Sequence, residues 1–182
     1  MESKIWRCKR TTRRNNIKKE EYISKINSNE EATELLEQEL ESANILLGKT
    51  DVKGEGVIVT LENNNETNII AEDLIVLVNE LKDAGAEAIS INEQRITNMT
   101  DIVLISEKYI LVNSQIVTAP YTVKAIGNKT YLQSALSLKN VGFIDEYTAY
   151  NKTVKLETKN NIQIKKYEAN DKADKMILKY IK

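Results

Sequence analysis

The first regular pattern of apolar positions in the chain lies between residues 20 and 47 and has the spacing of a heptad repeat. Its members follow one another at alternating steps of four and three, the period with which a helix packs against a partner helix. The second half is the more apolar and consists of Leu36, Leu40, Ala43 and Leu47. Gly48 follows, and glycine often ends a helix. We predict a helix or coiled-coil segment over 20–48.

This stripe of four residues could pack against either of two partners. A second copy of the chain would make it a self-association surface and give a homodimer, since each leucine buried between helices contributes roughly 1.5–3 kcal/mol. The alternative is intramolecular, with the stripe docked on the chain's own sheet. We predict self-association through Leu36, Leu40, Ala43 and Leu47, and we keep the docked monomer as the alternative.

Beyond residue 50 the heptad pattern gives way to short apolar runs that alternate with helical spacing. Gly54 and Gly56 predict a turn-rich hinge. A buried strand over 57–61 follows, then a helix over 70–81 that ends near Gly85, then a second buried strand over 86–91. We predict that the two strands of this β-α-β unit run parallel.

The second half of the chain continues the alternation. Strands are predicted over 101–106, 109–113 and 121–126, a helix over 131–138, and a strand or hairpin around the Asn pair at 160–161. The order β-α-β, extra strands, β-α-β is that of a split βαβ unit. We therefore predict an α+β fold: a ferredoxin-like plait with an inserted β-hairpin, preceded by the N-terminal helix.

Charge divides the chain further, although the total of 26 basic and 27 acidic residues is balanced. Residues 1–19 are strongly basic and lack apolar periodicity, which predicts a disordered arm. The expected domains are this arm at 1–19, the helix at 20–48, the plait at 54–165 and a basic tail at 166–182. The balanced charge gives no reason to expect nucleic acid as a partner.

The residue types exclude several kinds of enzyme. The chain has no histidine and one cysteine, so histidine-based catalytic triads and the common zinc sites are absent. The glycine pair at 54 and 56 precedes a strand, whereas phosphate-binding loops follow a strand and open a helix. We expect no catalytic residue, no metal and no cofactor.

Arg95 is the candidate ligand-binding residue, together with Asn92 beside it. An arginine at the end of a strand can hold a carboxylate or a phosphate through its two parallel N–H groups. The competing interpretation is a structural ion pair that fixes a loop. Both interpretations stay open on the sequence alone.

Three segments resemble a bacterial protein family. Their sequences are LKDAGAEAISINEQRI at 81–96, TDVKGEGVIVTL at 50–61 and APYTVKAIG at 119–127. Together they are similar to the YlxW/YlxX-like family, the domain of unknown function 881, over about 36–165. The matching positions with a structural character are Gly54, Gly56, Gly85, Pro120 and Gly127. Glu55 and Glu93 depart from the pattern, because proline and glycine are common at those places.

The resemblance implies a plait behind a coiled coil, in an envelope-associated protein linked to cell division or sporulation. It brings no catalytic residues. Family members usually carry a transmembrane helix before the coiled coil, where this sequence has its basic arm. The resemblance thus implies membrane association, whereas the residues as written predict a soluble or cytoplasmic chain.

We therefore expect a non-enzymatic interaction or scaffolding protein with protein partners at the cell envelope. The alternative is a sensor domain that binds a small anionic ligand through Arg95. An exposed apolar sheet face would favour the first function, and a pocket with donors converging around Arg95 would favour the second.

Overall fold

The structure is a computed structural model that describes residues 29–64, 66–106, 109–139 and 142–168. The predictions for the arm at 1–19, for the helix before residue 29 and for the tail beyond 168 lie outside these residues. The chain divides into two units between Asn44 and Ile45, and each unit is described by itself.

The described residues form four helices and eight strands, so the predicted α+β class is confirmed. In chain order the elements are α1 (Asn29–Leu46), β1 (Val52–Glu62), α2 (Ala71–Asp83), β2 (Ala88–Ile91), β3 (Gln94–Ile96), β4 (Ile102–Ser106), β5 (Tyr109–Val112), β6 (Gln115–Val117), β7 (Tyr121–Ile126), α3 (Lys129–Leu136), α4 (Phe143–Ala149) and β8 (Thr153–Ile164). The helix α1 ends just before Gly48, whose φ is +72°, as its sequence predicts.

The larger sheet has five strands in the order β3-β2-β7-β1-β8, and every neighbouring pair is antiparallel. Because β1 and β2 both run antiparallel to β7, they run in the same direction, as predicted. The smaller sheet inserts between β3 and β7 and has the order β4-β5-β6, again antiparallel.

The main core lies between the helices and one face of the larger sheet. Alternate residues of β1 point into it, and one stripe of α2 covers them, because the two periods of 2 and 3.6 each place their apolar residues on one side. Its fully buried members from these two elements are Val57, Val59, Leu61, Leu74, Leu77 and Leu81. The helices α3 and α4 and the inner face of the smaller sheet complete this core.

A second, smaller apolar cluster lies on the opposite face of the larger sheet. It contains Ala88, Ile126, Ile162 and Ile164, all buried. Val52 and Ile58 pack against it. Both faces of this sheet therefore carry buried side chains near the start of β1.

The predicted hinge at Gly54 and Gly56 is wrong, because both glycines lie inside β1. A Cβ at Gly56 would stand 1.9 Å from the carbonyl oxygen of Ala125 on the neighbouring strand. Glycine is needed there for close backbone approach, and not for a turn.

The hairpin predicted around residues 160–161 is instead one continuous strand, β8. Lys159 lies opposite Gly56 and Ile162 opposite Gly54, so two asparagines face the single residue Glu55. This is the count of a β-bulge, which absorbs an extra residue without ending the strand.

The inserted element is also larger than the predicted hairpin, since β6 adds a third strand to it. The turn between β5 and β6 holds Asn113 and Ser114 at φ +52° and +62°. Two successive residues with positive φ are typical of the tight turns that join hairpin strands. The strand β3 and the helix α4 were likewise not predicted.

Candidate functional site

Arg95 lies in β3 and is 3% exposed. Its Nη2 donates a hydrogen bond to the carbonyl of Ile45 at 3.4 Å. Gly48 packs against the aliphatic part of the Arg95 side chain, since a Cβ added at Gly48 would be 3.3 Å from Arg95 Cγ. Burial lowers the pKa of Arg95, while the charge of Asp51 raises it. Within the described ranges, no carboxylate comes within ion-pair distance of the guanidinium.

Two polar atoms, one on Arg95 and one on the neighbouring strand β2, lack hydrogen-bond partners among the described residues. They are Nη1 of Arg95 and the hydroxyl of Ser90, and both are buried. Ser90 lies directly opposite Arg95 in the β2–β3 pair, so the two side chains are on the same face. An unsatisfied buried donor is unfavourable, and it costs more on the charged guanidinium, whose Nη1 lacks a partner, than on the neutral hydroxyl.

Asn92 uses its side chain to bind the backbone of β7 and of the segment before it. Its Nδ2 donates to the carbonyl of Thr118 at 3.0 Å, and its Oδ1 accepts from the amide of Thr122 at 2.7 Å. Arg95 instead donates to Ile45. The two predicted ligand residues therefore bind different segments of the chain.

The residues with a predicted structural role lie at turns and close contacts. Gly54 and Gly56 are in β1, Gly85 follows α2 with φ +89°, and Gly127 follows β7. Pro120 precedes β7 and has a cis peptide bond with Ala119. The amide of Gly127 donates to the carbonyl of Glu55 at 2.9 Å, which ties the end of β7 to the bulge in β1.

The residues of the predicted self-association stripe are exposed to solvent. Leu36 is 65% and Leu40 62% exposed, and Ala43 is exposed as well. Leu47 is 56% exposed and lies just beyond the end of α1. No second chain is present, so their role in self-association stays a prediction.

A buried polar cluster that was not predicted from the sequence joins the start of α2 to the turn before β8. Asp73 is 5% exposed, and its Oδ2 lies 2.6 Å from Nζ of Lys152. The same ammonium lies 5.1 Å from the ring centre of Tyr147. Tyr147 stacks on Phe143 with ring centres 3.9 Å apart. The charges of Asp73 and Lys152 compensate each other, and removing one partner of such a buried pair is strongly destabilising.

The outer face of the smaller sheet is the strongest candidate for an interaction site. Val103, Leu111 and Ile116 form one cross-strand row there. Val103 is 49% and Ile116 63% exposed. The three strands read IVLIS, YILV and QIV and contain no charged residue. We call the row Val103, Leu111 and Ile116 the outer row.

Two further observations bear on function. Among the residues that the structure describes, no group of three or more acidic or thiol side chains is arranged to hold a metal ion. Within the same ranges, none of the helices combines the length and the apolar character needed to span a membrane.

Comparison with known proteins gives relatives of unknown function. The chain is 33% identical to the UPF0749 protein YlxW of Bacillus subtilis over 144 residues, which cover 70% of this chain and 58% of the relative. It is 27% identical to the UPF0749 protein YlxX of the same organism over 161 residues, covering 81% of this chain and 68% of that protein. The chain thus spans little more than half the length of YlxW.

The fold and the family are supported by two further matches. A crystal structure of an uncharacterized conserved protein from Mycobacterium tuberculosis has a TM-score of 0.65 and 25% identity, covering 73% of this chain and 94% of that chain. The sequence model of the family DUF881, described as bacterial protein of unknown function, matches residues 39–176 of this chain. The resemblance noted from the sequence is confirmed, and the chain belongs to the DUF881 family.

Proposed function

We propose that this chain is a non-enzymatic interaction module that binds a protein partner through the outer row of its smaller sheet. The observation that supports this most strongly is that Val103 is 49% and Ile116 63% exposed, within three strands that have no charged residue. Exposed apolar surface on a soluble domain is unfavourable unless a partner covers it.

The edge of this sheet supports the same function. Within the described ranges β4 has one strand partner, β5, so it forms an edge of this sheet. Sheet edges are usually protected by charged residues or by proline, and β4 has neither. An extended segment of a partner could pair with this edge while its side chains reach the outer row.

The test uses the full chain as bait against a lysate of a bacterium that encodes it. Ile116→Asp places a charge in the outer row, and the matched control Leu138→Asp places one at another exposed leucine, which is 57% exposed. We expect a protein that the wild type and the control retain and that Ile116→Asp loses, with all three chains equally folded by circular dichroism. Equal retention by all three would remove the outer row from the proposal.

The proposed cellular role, plait fold and coiled coil are each supported by a different observation. A partner at the cell envelope and a link to cell division or sporulation are supported by the family resemblance alone. A ferredoxin-like plait is supported by the order β2-β7-β1-β8, which is the order expected for a split βαβ unit. A coiled coil is supported by the exposure of Leu36 and Leu40 along α1.

A second candidate function, binding of a small anion at Arg95, is favoured by one observation. The Nη1 of Arg95 and the hydroxyl of Ser90 are buried neighbours that lack partners among the described residues, and an anion would satisfy both donors. We expect phosphate or sulfate to raise the melting temperature of the wild type and not that of Arg95→Met. Equal shifts in both chains would refute this function.

A further inference from the structure

A pocket of about 370 Å³ lies between α2 and the segment that joins β3 to β4. Its volume is within the range of small-molecule sites, which begin at about 300 Å³. The α2 side is formed by Ile75, Val78, Asn79 and Lys82, and the opposite side includes Ile96, Asn98 and Ile102. Neither Arg95 nor the outer row lines it, so it is separate from the surfaces discussed above.

The wall of the pocket is mixed: four of its nine lining residues are apolar and five are polar. Val78 is 4% exposed, Ile96 and Ile102 are half-buried, and Ile75 is 39% exposed. Ligand sites combine apolar side chains, which contact the body of the ligand, with polar groups that fix its orientation. An occupant must therefore present an apolar body to these four side chains.

The polar groups of the pocket fall into two classes. The hydroxyls of Thr97 and Thr100 are used by the turn itself, since Thr100 Oγ1 accepts from the amide of Thr97 at 2.8 Å and Thr97 Oγ1 from that of Met99 at 3.2 Å. The side chains of Asn79, Lys82 and Asn98 make no hydrogen bond within the part of the chain that the structure describes. These three groups are available to a ligand.

The charge of the pocket is positive. Lys82 is its one ionisable lining residue, and no acid lines it. A smaller hollow of about 120 Å³ adjoins it and shares Lys82, Ile96, Thr97 and Asn98. Glu87 lines that second hollow, together with Lys82. The larger pocket is thus the one that favours an anionic group, and Lys82 stands where the two hollows meet.

We propose that this pocket binds a small monocarboxylic acid with an apolar body. The body would lie on Val78, Ile96 and Ile102, and the carboxylate would accept hydrogen bonds from the ammonium of Lys82 and from the amide of Asn79 or Asn98. An ammonium-carboxylate hydrogen bond is stronger than a neutral one, so charge should decide between otherwise similar ligands. This inference goes beyond the proposed protein interaction and is independent of it.

The test is isothermal titration of the full chain with 4-phenylbutyrate and with the neutral 4-phenylbutan-1-ol. We expect the acid to bind roughly tenfold more tightly than the alcohol, the effect of one charge-assisted hydrogen bond. Lys82→Met should remove this preference and leave alcohol binding unchanged. The matched control is Lys165→Met, because Lys165 is exposed and lines neither hollow; it should keep the preference.

Two further variants make the result decisive. Lys82→Glu should reverse the preference and favour 4-phenylbutylamine over the acid. Ile75→Trp, at a partly exposed wall residue, should fill the pocket and weaken both the acid and the alcohol. An acid preference that survives in Lys82→Met, equal binding of acid and alcohol by the wild type, or no binding of either by the wild type would overturn the proposal.

Discussion

The carboxylate of Asp73 and the ammonium of Lys152 form a buried ion pair with Oδ2 and Nζ 2.6 Å apart. The same oxygen accepts a hydrogen bond from the amide of Ile70 at 2.9 Å, at the N-terminus of α2. The carboxylate of Asp73 thus accepts a hydrogen bond from an amide at the N-terminus of α2. It also fixes Lys152 in the turn before β8.

We expect Lys152→Met to lower the free energy of unfolding by about 3 kcal/mol, because it leaves the carboxylate of Asp73 buried without its counter-charge. Lys155→Met is the matched control, since Lys155 pairs with Glu62 at the surface, where the two side chains are 62% and 39% exposed. The control should change stability by less than about 1 kcal/mol. Urea unfolding measures both, and equal effects would contradict the buried pair.

Alkaline pH should act through Tyr147. Burial raises the pKa of its phenol, and the carboxylate of Asp73, which accepts its hydrogen bond, raises that pKa further. The folded chain then keeps a proton that the unfolded chain loses above about pH 10. This contribution is fully present below that pH and is lost as pH rises above it.

The free energy of unfolding of the wild type should therefore fall above about pH 10. In Tyr147→Phe it should fall less steeply, because the phenol is gone. Urea unfolding at a series of pH values gives both curves. Parallel curves would show that Tyr147 does not titrate differently in the folded and unfolded chains.

The turn between β2 and β3 offers a stabilising substitution. Glu93 has φ +69°, which costs most residues about 1–2 kcal/mol relative to glycine. Its carboxylate also pairs with Lys124 at the surface. Glu93→Gly should raise the free energy of unfolding by about 0.5 kcal/mol, after the larger chain entropy of glycine is subtracted. Glu93→Ala keeps the strain and loses the ion pair, so thermal unfolding should show it to be the less stable variant.

Two glycines that look alike in the sequence should respond differently to alanine. At Gly56 the added Cβ would meet the carbonyl of Ala125 at 1.9 Å, so β1 and β7 must separate. At Gly85 nothing lies within 4 Å, and φ is +89°. We expect losses of roughly 3 kcal/mol for Gly56→Ala and about 1 kcal/mol for Gly85→Ala in chemical unfolding. The opposite order would contradict the close approach of the strands.

Self-association through α1 is tested by sedimentation of the full chain at about 100 µM, a concentration suited to weak association. We expect a concentration-dependent dimer that Leu40→Asp abolishes, because the substitution charges the exposed stripe. Ile116→Asp is the control, and it should leave the dimer intact. Loss of the dimer only in Ile116→Asp would place self-association on the smaller sheet.

The sequence was sufficient where burial follows a regular period. The helix predicted over 70–81 is α2, because Leu74, Leu77 and Leu81 recur at helical spacing and are all buried. It was insufficient for α4, whose seven residues bury only Phe143 and Tyr147, too few to establish a period. The strand β3 was missed because its turn has Glu93 where a glycine would have indicated a hairpin.

The sites depend on pairs of residues that are distant in the chain. Arg95 could be chosen as a candidate from its residue type, but its contacts with Ile45 and Gly48, nearly 50 positions earlier in the chain, could not be predicted. Lys82 looks like an ordinary surface lysine of α2 until the segment at 96–102 is seen beside it. Local patterns do not encode such contacts, because tertiary packing brings them together.

The position of β1, fourth in the five-stranded sheet, has a consequence for synthesis. Its two partners are β7 and β8, so Val52 must wait for Ile164 to emerge before its register is complete. Contacts this distant in the chain slow folding, and until they form the apolar residues of β1 stay open to solvent, proteases and other chains. A chain shortened before Ile164 loses part of the pairing between β1 and β8, so we expect limited proteolysis to cut it faster than the full chain.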